Sequence, residues 1–141
     1  MDNVMQLFIF TMTKPRSSSE EEFIRIEKGR KNQERFRHLL SNPLTCPTWI
    51  RKVEDTGERI DFKKGIDFYV YTTTGWKIPV DVKSSVGYMR ARQDKRGTLS
   101  ACVIVINEAY DDETMLQRIT RFLGEFQEEA IRHNVDGNFR I

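Results

Sequence analysis

Apolar positions along this chain switch between two periods. Phe23, Ile26, Phe36, Leu39 and Leu40 give one side of a helix, and Asn42-Pro43 stops it. Residues 13–19 (Thr-Lys-Pro-Arg-Ser-Ser-Ser) predict a flexible connection that ends in a helix cap at Ser19 or a serine before it. Glu20, Glu21 and Glu22 then fall in the first turn, where the helix dipole favours negative charge. Between residues 48 and 84 the period becomes two. Strands are expected at 49–53 and 59–62 around an Asp55-Thr56-Gly57 turn, and at 66–71 and 76–83 around residues 72–75. Residues 99–106, Leu-Ser-Ala-Cys-Val-Ile-Val-Ile, are almost continuously apolar, the pattern of a central strand buried on both faces. The last element, residues 111–134, is a long helix capped by Asp111 or Asp112. Met115, Leu116, Ile119, Phe122, Leu123, Phe126, Ala130 and Ile131 lie along one side of it. The order predicts one α/β domain over residues 1–141, with a mixed central sheet (an antiparallel meander plus a buried strand) flanked by helices.

Composition changes this picture little. Against 21 Asp and Glu stand 23 Lys and Arg, a net charge of +2, so nucleic-acid binding would depend on where the basic residues cluster. Cys46 and Cys102 are far apart and lack metal-ligand spacing, so both are expected as thiols in a reducing compartment, with Cys102 in the core. Leu7-Phe8-Ile9-Phe10 lacks a basic flank and is too short for a membrane span or signal peptide. The expectation is a cytoplasmic, soluble protein. His38 and His133 have no partner at ligand spacing, and Trp49 and Trp76 are expected to pack.

The chemistry concentrates in two strands. In Gly65-Ile66-Asp67-Phe68-Tyr69-Val70 and Ile78-Pro79-Val80-Asp81-Val82-Lys83, alternation puts Asp67 with Tyr69 and Tyr71 on one face, and Asp81 with Lys83 likewise. A three-residue loop, Thr73-Thr74-Gly75, pairs Thr72 with Trp76 if the glycine is left-handed. Counting back sets Asp67 opposite Asp81. Facing carboxylates repel, and a hard divalent cation such as Mg²⁺ or Mn²⁺ would hold them through oxygen. Lys83 could then reach a phosphate or a nucleophilic water, an assembly suited to phosphodiester hydrolysis. The plainer reading of Asp-x-Lys is a cross-strand ion pair on a solvated face. Asp61, beside Lys63 and Lys64, reads as a surface strand-end residue.

Asp67, a hairpin turn and Asp81-Val82-Lys83 together resemble the PD-(D/E)xK nucleases, among them restriction endonucleases, RecB-like nucleases and archaeal Holliday-junction resolvases. The resemblance implies a restriction-endonuclease-like core: helix, three-strand meander, helix, further strand. It also implies metal held by Asp67, Asp81 and the Val82 carbonyl, and a water assisted by Lys83. The family adds an acidic ligand from the first helix. Gly29 to Arg35 is similar to the resolvase stretch, which indicates Glu34, with Glu27 in reserve. Gly-Ile-Asp stands where the family has Pro-Asp, and the residues that match specifically are three. Arg90, Arg92, Lys95 and Arg96, with Gln93 among them, form a basic run after the motif that can contact phosphates. In the family this region is a helix. The resemblance implies an endonuclease on DNA, with branched or structured DNA among its candidate substrates, and a homodimer. The alternative is a nucleic-acid-binding module of the same fold without catalysis.

Overall fold

A computed structural model describes residues 18–56, 65–83 and 88–141. The chain divides into two compact units, Met1–Arg30 and Lys31–Ile141. Helix α1 spans Ser18–Ser41. In the first unit its Phe23 and Ile26 are exposed, contrary to the apolar side expected there, as is Ile24, and Arg30 pairs with Glu27 at 2.7 Å. The helix begins inside the expected serine connection, of which residues 13–17 lie outside the described set.

In the second unit, Phe36, Leu39 and Leu40 of α1 are buried. Strands β1 (Ile50–Asp55), β2 (Phe68–Thr72), β3 (Lys77–Lys83), β4 (Arg90–Gln93) and β5 (Leu99–Val105) follow, then helix α2 (Asp112–Arg132) and a 3₁₀ turn, Asp136–Phe139. The five strands form one sheet in the order β1-β2-β3-β5-β4. β1 to β3 are an antiparallel meander, β5 runs parallel to β3, and β4 is antiparallel to β5. The α/β class and the mixed sheet are as expected. β1 extends through Asp55, where a turn was expected, and pairs with β2. The expected strand at 59–62 lies outside the described residues. Residues 90–93 form a strand where the resemblance implied a helix. Among the described residues no helix is long and apolar enough to cross a membrane.

One face of the sheet carries Phe68, Val70, Ile78, Val80, Cys102 and Ile104, which join Phe36 and Leu40 of α1 and Met115, Ile119, Leu123 and Phe126 of α2 in the core. Phe36 and Phe68 meet with ring centres 5.1 Å apart. Asp111 caps α2 by accepting from the Thr114 N–H at 2.8 Å. Both cysteines are free, and burial raises the Cys102 thiol well above its ordinary value.

Pro79 shapes the middle of the sheet. It faces Tyr69 on β2, and the β3–β5 ladder starts only at Val80↔Cys102. A proline has no N–H to give a neighbouring strand. Below Val80, β3 therefore pairs with β2 while residues 99–101 pair with β4, and the sheet forks. The chain's last residues border this fork: Trp76 bridges Arg140, and the Ile141 N–H donates to the Gly75 carbonyl at 2.9 Å.

Candidate functional site

The hairpin between β2 and β3 sets the geometry. Gly75 has φ of 89° and the Thr72 N–H donates to the Trp76 carbonyl at 3.0 Å, the register read from the sequence. The ladder runs Tyr71↔Lys77 to Phe68↔Val80, one step short of Asp67 and Asp81. At that step the backbone slips. The Asp67 N–H donates to the Val80 carbonyl at 2.8 Å, and the Asp67 carboxylate takes the place of backbone by accepting the Val82 N–H at 2.8 Å. N–H and carbonyl of one strand residue point to the same side, so the Val82 carbonyl also faces Asp67. Gly65 and Thr56 hold the approach: Gly65 has φ of 65°, and the Thr56 hydroxyl donates to the Ile66 carbonyl at 2.8 Å.

Asp81 is buried, its side chain 7% exposed. Lys83 Nζ lies 3.4 Å from Asp81 Oδ2, and Arg92 Nη1 donates to the same oxygen at 2.9 Å. Arg92 is on β4, so its side chain crosses β5 to reach β3, a span of two strand spacings or about 10 Å. Ala101, opposite Arg92, leaves room for the crossing. Ser100 is the extra residue of a bulge in β5. Its hydroxyl donates to the Arg92 carbonyl at 3.2 Å and accepts from Arg92 Nε at 3.4 Å. A Cβ on Gly65 would come within 3.1 Å of Arg92 Nη1, a second demand for glycine there.

The described contacts give the two carboxylates different partners. Asp81 is neutralised by Arg92 and Lys83. Asp67 is held by the Val82 N–H and by Gln33 of α1, whose Nε2 donates to Oδ1 at 3.2 Å. Glu34 is exposed and lines a surface depression with Lys31, Arg37 and His38. Among the described residues no three Asp, Glu, His or Cys side chains are grouped to hold a metal ion. Gln33, the neighbour of Glu34 on α1, is a side chain that reaches Asp67. The helix stripe contains this signal: stepping back three and four residues from buried Phe36 gives Gln33 and Asn32, whereas Glu34 is on the other side. The oxygens of Asp67, Asp81 and the Val82 carbonyl suit Mg²⁺ or Mn²⁺, which need only one or two carboxylates beside water and phosphate.

Of the basic run, Arg92 reaches Asp81, while Arg90, Gln93, Lys95 and Arg96 are exposed. Arg90 lies across Val103 from Asp81 on the same face. Arg92, Gln93 and Lys95 line one wall of a cleft of about 640 Å³ in the fork, with Tyr69, Lys77 and Pro79 on the other. An aromatic–basic cluster the sequence reading passed over continues from it. Lys77 Nζ lies 4.4 Å from the Tyr69 ring centre, and Lys52 Nζ lies 4.7 Å from that of Tyr71. A bulge at Arg51 in β1 brings Arg51 to the same ring, at 5.7 Å. The Tyr71 hydroxyl donates to Glu54 at 2.7 Å; burial, then Glu54, pushes its pKa up to about 12. Compared with protein-family models, curated proteins and solved structures, the chain matches none.

Proposed function

We propose that this chain is a divalent-metal-dependent hydrolase of phosphodiester bonds in DNA, of the PD-(D/E)xK type. The observation that carries the reading is the convergence of Asp67, Asp81 and Lys83. Lys83 Nζ is 3.4 Å from the Asp81 carboxylate, and the Asp67 carboxylate rests on the intervening Val82 N–H. Asp67, Asp81 and the Val82 carbonyl would hold the cation. Once bound, it would supply Lewis-acid charge at the phosphate and a more acidic water. Lys83, half exposed, orients that water and balances charge developing on the phosphoryl oxygens. The Gln33 amide fixes the Asp67 carboxylate, and Arg92 can exchange Asp81 for a substrate phosphate.

A second reading is favoured by two specific contacts, Arg92 on Asp81 and an amide in place of a third acid: a DNA-binding module without catalysis. One experiment separates them. Four-way junction, flap, duplex and single-stranded DNA, together with RNA, are incubated with Mg²⁺, Mn²⁺ or EDTA. Asp81→Asn should abolish cleavage, and Lys83→Ala should slow it on the order of a hundredfold. Gln33→Ala should slow it more than Glu34→Gln. Metal-independent cleavage, or cleavage that survives Asp81→Asn, contradicts the hydrolase site. Salt-sensitive binding with no cleavage of any substrate selects the module.

A further inference from the structure

We infer that the fork between β3 and β5 is a binding site for an unpaired nucleotide, so that the site acts on single-stranded or splayed DNA. The inference rests on the hydrolase reading only for its link to cleavage; the binding surface stands on its own contacts. Among the described residues the cleft's cations are Lys77, Arg92, Lys95 and Arg140, of which Arg92 pairs with Asp81 and Arg140 with Asp136. The one acidic side chain among the described lining residues, Asp94, accepts the Arg96 and Thr98 backbone N–H groups at 2.8 and 3.0 Å and so is engaged in its own turn. Tyr69 supplies an aromatic face beside these charges. Tyr71 follows two residues along β2 on the same face, with Lys52 and Arg51 over its ring.

Alternating tyrosines and cations match what a single strand offers: bases with free π-faces and a phosphate at each step. A base inside a duplex keeps its faces covered, so it cannot use a ring set within a recess. The recess lies in the size range that encloses small ligands and suits a splayed nucleotide. It also shares a residue with the carboxylate site. Arg92 is at once a wall of the cleft and the partner of Asp81, and Pro79 precedes Asp81 by two residues, about 7 Å along β3. A strand lying over Tyr69 therefore leads its next phosphate to Asp81 and Lys83.

The test is binding of a short fluorescein-labelled oligothymidylate and of a duplex of matched length, followed by anisotropy in EDTA, where no cleavage proceeds. Tyr69→Ala should weaken single-strand binding on the order of tenfold, with Tyr69→Phe close to wild type. Lys77→Gln should weaken it and flatten its salt dependence. Arg118→Gln, on α2 against Tyr110, is the control and should change nothing. Thermal melting of each variant verifies folding, and Tyr69→Phe keeps the ring if the alanine variant unfolds. Tyr69→Ala with unchanged affinity, equal or tighter duplex binding, or no binding of the oligonucleotide at all overturns the inference. Cleavage in Mn²⁺ that ignores Tyr69 would remove this site and leave the hydrolase. Tyr69-dependent binding without cleavage would do the reverse.

Discussion

Replacing Arg92 with methionine takes the guanidinium from a buried carboxylate while keeping an aliphatic chain across β5. Breaking a fully buried ion pair by removing one partner costs about 3–5 kcal/mol, because the remaining charge is left uncompensated. Here the cost must be smaller. The Arg92 side chain is 28% exposed, and Lys83 stays 3.4 Å from Asp81 on the solvent side. We therefore expect a loss of about 2 kcal/mol at neutral pH, roughly 8 °C in Tm for a chain of this length. If the loss is the stranded charge, Asp81→Asn in the same chain should recover most of it. A four-member cycle of wild type, Arg92→Met, Asp81→Asn and the double variant, followed by urea denaturation, should give a coupling of about 1.5 kcal/mol. Additivity to within about 0.5 kcal/mol would show that the contact carries no weight and would falsify the charge argument. The same variants test the proposed metal, because a cation held at Asp81 would compete with Arg92 for one carboxylate. Mn²⁺ should raise the Tm of Arg92→Met more than that of wild type, and leave Asp81→Asn unmoved. At a hundredfold excess over its dissociation constant a ligand adds about 2.7 kcal/mol, well within reach of a melting curve.

Two further outcomes follow from groups away from the carboxylates. Asn32 is 5% exposed and its Nδ2 has no hydrogen-bond partner among the described residues, so Asn32→Ala should be neutral or stabilising by up to about 1 kcal/mol; a loss of more than that by urea denaturation would mean the amide has an essential contact. Asp111 is held below its ordinary 3.8 by its hydrogen bonds from Thr114, and Glu129 below 4.5 by those from Arg132 and His133. Depressed carboxylates contribute stability above their unfolded values and lose it as pH falls through the folded ones. Tm should drop on acidification below about pH 4.5, and less steeply in Asp111→Asn/Glu129→Gln; parallel Tm–pH curves would rule out this origin.

How much could be read from the sequence varied with how local the determining contacts are. The long C-terminal helix and its Asp111 cap, the Thr72–Trp76 register and the buried strand at 99–105 all rest on spacing within one segment, and each appears in the fold. Asp67, Asp81 and Lys83 share that locality, since one hairpin positions them. Residues 90–93 did not. Arg-Ala-Arg-Gln has no strand preference, and it is pairing with β5 that makes it one. The partner of Asp81 was equally hidden, because Arg92 arrives from a strand two places away in the sheet. Gln33 was passed over for another reason: the resemblance implied a helix carboxylate, Glu34 or Glu27, while the Phe36 stripe also brings the Gln33 amide to Asp67.

The Arg92 crossing has a consequence for the precision of the sheet itself. Among the described strands β4, four residues long, lies at the edge of the sheet, where its register depends on one neighbour. A slide of one residue would turn Arg92 onto the helix-covered face and leave Asp81 with Lys83 as its only cation among these contacts. Misalignment therefore carries two penalties at once, a guanidinium among apolar side chains and a stranded carboxylate. The polar centre works as a proofreading device for strand alignment: the charged groups gathered around Asp81 are also those that reject the wrong register.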